Sequence, residues 1–361
     1  MTDIASHRVV VCAAQGPSSP AVRIRATGLA SALGRLGVAL EPELLFTEPQ
    51  ARAFAAGTAR TRASVLITAH RDLAHRLPAS DSPCVFIQRQ VDMLPTLRLE
   101  RMAADRPRVV LDVDDAIWHD GHGAGGHFLA FLKASRHKAR WLVRRADQVI
   151  AGNDLLAEAL NDIGAQRVAV VPSLVDVDVA PLRHHEQRDD VLLGWIGSPT
   201  TAPYLDRVIP AIDEAARRDG RPWTIECAGG APTVRPTRAR LVEVPWSPTA
   251  EARLLSRMDI GLMPLPDTPW TRGKCAYKAL QYLASGIPVI ADDVGVTAAV
   301  VGPGDGGLIM SEDIAWSDAL IALAADPGLR ERMGANGRRR VSDGYSTSTR
   351  IPELKRLITG I

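Results

Sequence analysis

Twice along this chain, short runs rich in β-branched residues alternate with longer segments whose apolar residues recur at helical spacing. The first series of strand candidates is "RVVVCAA", "SVLITA", "CVFIQ", "RVVLDV", "QVIAG" and "RVAVVPS"; the second is "VLLGWIGSPTT", "WTIECAGG", "ARLVEV", "DIGLMPL" and "IPVIADD". Between them lie segments such as "AVRIRATGLASALGRLG" and "ASRHKARWLVRRAD", whose period is that of a helix. Strands and helices in repeated succession make βαβ units, and such units build parallel sheets. The pattern therefore predicts an α/β protein.

The alternation breaks at "LVDVDVAPLRHHEQRDD", residues 174–190, where proline and clustered charge interrupt the rhythm. A chain of 361 residues exceeds the roughly 100–200 residues of one ordinary domain. The break reads as a linker between two Rossmann-like domains. We place the first at 1–180, the linker at 181–190 and the second at 191–345. Two such halves joined by a hinge imply an interdomain cleft, with ligand held beyond the carboxyl ends of the strands.

A formal net charge of +2 gives no overall attraction to nucleic acid. Cys12, Cys84, Cys227 and Cys275 lie far apart with no CxxC pair, which speaks against a zinc knuckle or a disulfide framework and for a reducing, cytoplasmic setting. The opening "MTDIASHRVVVCAAQG" lacks the basic start and the length of a signal peptide and reads as a first strand. No run approaches the roughly 20 apolar residues of a spanning helix, so a membrane role would be peripheral, at the inner face.

In "TRGKCAYKALQYLASGIPVIA", Lys274 and Lys278 are two of only five lysines in an arginine-rich chain. At the start of a helix each opposes the macrodipole, at roughly 0.3–1 kcal/mol, and the pair repels itself by roughly 0.2–0.5 kcal/mol more. Lys274, Lys278 and Gln281 would share one polar face at i, i+4 and i+7. A diphosphate there would turn both lysines into charge-assisted partners; an isolated lysine pair is more often plain solvated surface. "GWIGSPTT" offers a second anion-facing element, with Gly197 allowing close approach and Ser198, Thr200 and Thr201 donating before a helix opened by "APYL". Its plainer reading is a helix cap. Arg272 joins these donor-side candidates, and Trp246 in "VEVPWSP" is either a border for a nucleotide base or a core residue.

With that order of elements, the stretch "MDIGLMPLPDTPWTRGKCAYKALQYLASGIPVIADDVGVTAAVV" followed by "GDGGLI" resembles the donor domain of a GT-B glycosyltransferase of family 4. "ADQVIAGNDLLAEAL" and "VAVVPSLVDVD" are similar to the close of that family's acceptor domain, and "RIPELKRLI", within 346–361, resembles its terminal helix, which crosses back onto the first domain. The resemblance spans most of residues 108–345. It implies a retaining, metal-independent hexosyltransferase that moves a sugar from a nucleotide-diphosphate sugar to a hydroxyl acceptor, with no cofactor beyond that donor. The chain departs from the family where two glutamates are usual: Gly273 and Gln281 stand at those positions. The arginine and lysine usual after the first donor-domain strand are also absent from "GWIGSPTTAPYL".

In the first half, "RVVLDVDDAIWHDGHGAGGH" delivers Asp112, Asp114 and Asp115 at a strand end. By order, Asp114 stands where the family often has a histidine lining the donor sugar and Asp115 matches the aspartate that commonly follows it, and they are the catalytic candidates; each could equally cap a helix or close a turn. Asp112-Val113-Asp114 also has the DxD form with which GT-A enzymes hold Mg²⁺ or Mn²⁺, and His119, His122 and His127 lie nearby in sequence, but the two-domain order favours GT-B with no metal. Gly16, Arg23 and Arg25 after the first strand are cleft or acceptor candidates, the arginines for an anionic group. The helix "FLKASRHKARWLVRRAD" sets Lys133, Arg136, Lys138, Arg140, Arg144 and Arg145 around Phe128, Leu132, Trp141 and Leu142, a pattern suited either to anionic lipid or to an ordinary solvated face. The rival functions are a nucleotide-sugar epimerase on the same fold and a nucleotide-sugar-binding protein without turnover.

Overall fold

The computed structural model describes residues 7–118, 135–310 and 315–361. The chain forms two compact units.

Unit 1 comprises Met1–Leu174, Gly273–Cys275 and Arg350–Ile361. Its strands are β1 His7–Ala13, β2 Val38–Leu44, β3 Cys84–Gln88, β4 Arg108–Val113, β5 Gln148–Ala151 and β6 Val168–Val170. They form one sheet in the order β2-β1-β3-β4-β5-β6, parallel throughout. The central strands are unbroken apolar runs because both faces of a parallel sheet are covered; every residue of β3 is buried. On one face Val9, Val11, Phe86, Val110 and Ile150 pack with Leu33 and with Ile351, Leu354 and Ile358 of the last helix, Thr347–Thr359. Arg108 ties that helix down, Nε to Ile358 O and Nη2 to Leu357 O, each at 2.7 Å.

Unit 2 comprises Val175–Arg272 and Ala276–Thr349. Its strands are β7 Val191–Ile196, β8 Trp223–Ala228, β9 Arg240–Val244, β10 Ile260–Met263, β11 Val289–Asp292 and β12 Gly307–Met310. The order β12-β11-β10-β7-β8-β9 is again parallel. Counted from β7 it is the doubly wound order 3-2-1-4-5-6, in which the strand sequence reverses between β7 and β10 and ligands bind beyond the carboxyl ends. Leu193, Trp195, Trp223 and Ile225 anchor the core on one face, and Leu192, Ile196, Met258 and Tyr282 that on the other. Residues 183–185 are held on this unit by Arg183 N to Ser285 O, Arg183 Nη2 to Asp259, and His185 N to Glu331.

Three expectations are corrected. "SVLITA" is no strand but part of the helix Ala59–Arg76, which Thr58 caps by accepting from Thr61 N; Ile67 is 55% exposed, as a core strand would not permit. "APYL" opens a 3₁₀ segment, Ala202–Arg207, and the α-helix begins at Ile209. The basic helix, described over Ser135–Arg145, does not present Lys138 to solvent: the side chain is buried, donating to Glu100 Oε1 at 2.7 Å and Asp92 O at 2.9 Å. A buried ammonium requires such partners. Phe128, Leu132, Lys133, His119, His122 and His127 lie outside the described residues.

Candidate functional site

In unit 2 the donor-side candidates gather at the switch point. Gly197 follows β7, and Lys278 lies in the first turn of the helix Tyr277–Ala284, which leads from β10 into β11. Lys278 Nζ sits 5.2 Å from the Trp195 ring centroid, a cation–π contact of roughly 0.5–1 kcal/mol at a half-open site. A Cβ at Gly197 would come within 2.6 Å of the Trp195 ring and 2.7 Å of Lys278 Cε, so glycine is what lets the backbone after β7 meet this pair. Ser198 Oγ lies 2.8 Å from Thr200 Oγ1 and 3.4 Å from Thr201 Oγ1, and Thr201 Oγ1 donates to Ser198 O. This is a hydroxyl-lined turn.

Beside it two candidates from the sequence, Trp246 and Gln281, meet on Glu251, which the sequence did not single out. Trp246 Nε1 donates to Glu251 Oε2 at 2.7 Å, and Gln281 Nε2 donates to Glu251 Oε1 at 2.9 Å. Glu251 stands in the first turn of the helix Pro248–Leu255, capped by Ser247, whose Oγ accepts from Ala250 N. In "SPTAEARLL" it reads as an ordinary acidic residue near a helix start. Arg272 is exposed and paired with Asp267 at 2.6 and 2.8 Å.

Lys274 does not share the helical face of Lys278. The helix begins at Tyr277, and Ala276 before it is left-handed, φ 50° and ψ 32°, so the chain turns there and the i, i+4 spacing loses its helical meaning. Lys274 belongs to unit 1, where Asn153 Nδ2 donates to Gly273 O and Lys274 O at 3.2 and 3.4 Å while Asn153 Oδ1 caps the helix Asp154–Ile163 at Leu156 N. A Cβ at Gly273 would stand 2.8 Å from Ala116 Cβ, so the position that lacks the usual glutamate has little room for a side chain. Gln281 and Lys278 remain three apart on one helix.

The carboxylates of unit 1 are matched by cations. Asp112 is buried in a pair with Arg25, Nη2 to Oδ1 at 2.5 Å and Nε to Oδ2 at 3.1 Å, and Arg25 Nη1 donates to Val171 O. Arg25 is therefore a core residue, 4% exposed, and not the ligand-facing group expected. Asp114 receives Arg89 Nε at 2.6 Å, Arg89 Nη2 at 3.0 Å and Gln88 Nε2 at 2.9 Å. Burial alone would raise the Asp114 carboxyl, but the Arg89 guanidinium outweighs it and holds the group below its ordinary value. Asp115 closes its own turn, Ala116 N to Oδ1 at 3.2 Å, and its Oδ2 lies 3.4 Å from Arg89 Nη2 and 3.5 Å from Lys274 Nζ. Cys275 Sγ donates to Asp114 O at 3.3 Å, its thiol pushed up to about 12 by burial. Gly16 is buried and Arg23 half-buried around the helix Pro20–Arg25. Arg89, at the end of "CVFIQR", was missed; its position just past a central strand was the available signal.

Among the described residues no group of three or more His, Cys, Asp or Glu side chains is arranged to hold a metal ion, and no helix is long and apolar enough to cross a membrane.

Residues 191–326 match the family model described as Glycosyl transferases group 1. In structure the chain is similar to a sucrose-phosphate synthase from Thermosynechococcus elongatus, at TM-score 0.70 and 14% identity over 98% of this chain and 99% of that one. It is similar to HepE of Anabaena in complex with UDP and glucose, at TM-score 0.63 and 14% identity over 98% and 100%. It is similar also to WaaG, a glycosyltransferase involved in lipopolysaccharide biosynthesis, at TM-score 0.64 and 15% identity over 98% and 100%. No curated protein matches the chain in sequence. The two parallel sheets and these likenesses show the GT-B fold, and within it residues 191–326 carry the sequence pattern of glycosyl transferases group 1.

Proposed function

We propose that this protein is a retaining glycosyltransferase of family 4 that moves a hexose from a nucleotide-diphosphate sugar to a hydroxyl acceptor without a metal ion. The observation that carries the reading is Lys278: its ammonium is held over Trp195 beside Gly197, at the switch point of the unit whose residues 191–326 match the transferase family. A cation preset there suits a diphosphate. Solved proteins of the same fold add support, since HepE has been seen with UDP-glucose. In this reading Ser198, Thr200 and Thr201 face the phosphates and Trp246 borders the nucleoside. Asp114 and Asp115 act by fixing Arg89 and Lys274. Metal independence is supported by the engagement of Asp112 and Asp114, each by its own arginine, which leaves the DxD pair poorly placed to ligate. Contact with anionic lipid through the exposed Arg136, Arg140 and Arg144 belongs to the same proposal, as does a cytoplasmic setting.

A second reading, nucleotide-sugar binding without turnover, is favoured by the crowding at Gly273. Incubating the protein with UDP-, GDP- and ADP-sugars, with and without acceptor extract and EDTA, separates the readings. Acceptor-dependent release of nucleoside diphosphate that survives EDTA supports the transferase. Sugar interconversion without acceptor identifies an epimerase, binding without turnover supports the second reading, and loss of transfer in EDTA restored by Mn²⁺ overturns metal independence.

A further inference from the structure

We propose that unit 2 carries a second small-molecule site, at the opposite end of its sheet from Lys278, and that this site takes a sugar monophosphate. The proposal goes beyond the reading above and does not depend on it.

The site is a cavity of about 490 Å³, within the roughly 300–1,000 Å³ usual for small-molecule sites, and every residue that lines it belongs to unit 2. It lies at the amino ends of the strands: its Gly286 precedes β11, and its Arg183 is paired with Asp259, which precedes β10. Arg183, Arg338 and Arg339 supply its cations. Arg183 is the informative one. Its side chain is only 10% exposed; Nη1 donates to His184 O and Nη2 to Asp259 Oδ1, while the buried Nε has no hydrogen-bond partner among the described residues. Buried N–H groups are paired in native proteins, so this one calls for an acceptor that the chain does not supply. On the facing helix Arg339 is exposed, and Ser342, three residues on, adds a hydroxyl to the same lining. A guanidinium with a free N–H beside a second arginine and a hydroxyl suits a phosphate group.

The rest of the lining asks for more than a bare anion. Asp178 and Asp343 stand among the arginines. Carboxylates repel free phosphate and accept hydrogen bonds from hydroxyls, so the mixed charge favours a molecule with one phosphate and several hydroxyls. Leu182, 49% exposed, borders the same cavity and offers an apolar surface to the C–H face of a sugar ring. A purely structural reading explains part of the cluster, since Arg183 fastens residues 183–185 and Arg338 donates to Ala284 O at the end of the helix Tyr277–Ala284. It leaves Arg183 Nε without an acceptor and gives the cavity no ligand.

Lys278 lies in the first turn of that helix and Ala284 at its end, roughly 9 Å apart along the axis, so binding at the two ends can be told apart by substitution. Calorimetric titration of the full chain with glucose 1-phosphate, glucose 6-phosphate and fructose 6-phosphate, and with inorganic phosphate and glucose as fragments, tests the site. We expect at least one ester to bind, about tenfold or more tightly than either fragment. Arg339→Glu, at an exposed position, should weaken that ester by about tenfold or more, and Lys278→Ala should leave it unchanged. If no ester binds below about 10 mM, the cavity holds only water and the proposal falls. It falls also if the ester is lost in Lys278→Ala and kept in Arg339→Glu, which would put the ligand at the donor end. Inorganic phosphate binding as tightly as the esters would overturn the assignment to a sugar phosphate. None of these results bears on whether the donor-site reading holds, because no nucleotide enters the experiment.

Discussion

Arg89 and Asp114 form a two-pronged ion pair at the carboxyl ends of β3 and β4, Nε to Oδ1 at 2.6 Å and Nη2 to Oδ2 at 3.0 Å. The Arg89 backbone is left-handed, φ 64°, a conformation that costs a residue with a Cβ on the order of 1 kcal/mol or more. Opening a pair this buried from one side strands the other charge. Asp114→Asn is expected to lower stability in urea denaturation by roughly 3–5 kcal/mol, and the double variant with Arg89→Gln to show a coupling above about 1 kcal/mol. A coupling near zero would mean two independent charges.

Lys278→Ala should weaken a nucleoside diphosphate by roughly 1.5–3 kcal/mol, the value of a charged hydrogen bond, and leave the matching nucleoside nearly unaffected. Calorimetric titration of both ligands decides it. Parallel losses would show that the lysine supports Trp195 and does not meet phosphate.

His185 couples stability to pH. Its Nε2 donates to Gly286 O at 3.0 Å, while Nδ1 is buried with no hydrogen-bond partner among the described residues. Burial therefore lowers its pKa to about 4, with Arg183 and Arg330 acting in the same sense and Asp259 against them. The unfolded value is about 6.5. Between the two the unfolded chain binds a proton that the folded one refuses, so this contribution is complete above about pH 6.5 and lost as pH falls toward 4, by up to about 3 kcal/mol. The adjoining Glu331 accepts from His185 N and titrates below its own ordinary value. Denaturation midpoints should fall less steeply over that range in His185→Gln than in the wild type. Identical slopes would show that the folded imidazole takes up its proton normally.

Lys138 and Arg140 offer a contrast within one helix. Lys138→Met leaves a buried carboxylate without its cation, and a loss of roughly 3–5 kcal/mol is expected. The exposed Arg140→Ala should stay within about 0.5 kcal/mol. Thermal or chemical melts of the two variants test this directly; similar small losses would place Lys138 at the surface, as its neighbours suggested.

The sheets were legible because a parallel strand buried on both faces leaves an unbroken apolar run, as in "VVVCA" of β1 and "VLLGWI" of β7. Where such a run sits inside a longer helical frame the local signal misleads: "SVLITA" lies between Thr58, which starts the helix, and Leu73, which buries it. The lysine pair misled for another reason. Its helical spacing was sound arithmetic, but Ala276 adopts a left-handed conformation that no propensity assigns to alanine. Glu251 stayed hidden because its partner Gln281 is 30 residues away, and Lys138 because Glu100 is 38 residues away. Pairings of that range belong to the tertiary fold and leave no mark on a local pattern.

Unit 1 is closed by residues 350–361, whose Ile351, Leu354 and Ile358 complete the apolar face begun by Val9 and Val11. On the ribosome these residues emerge after all of unit 2. Domains ordinarily mature in the order in which they are made; here the unit that starts first finishes last, and its sheet waits, with one face only partly covered, through the synthesis of everything from Val175 to Thr349. A nascent chain that stalls in that interval presents an open apolar surface to chaperones and proteases, so translation speed across unit 2 becomes a determinant of yield.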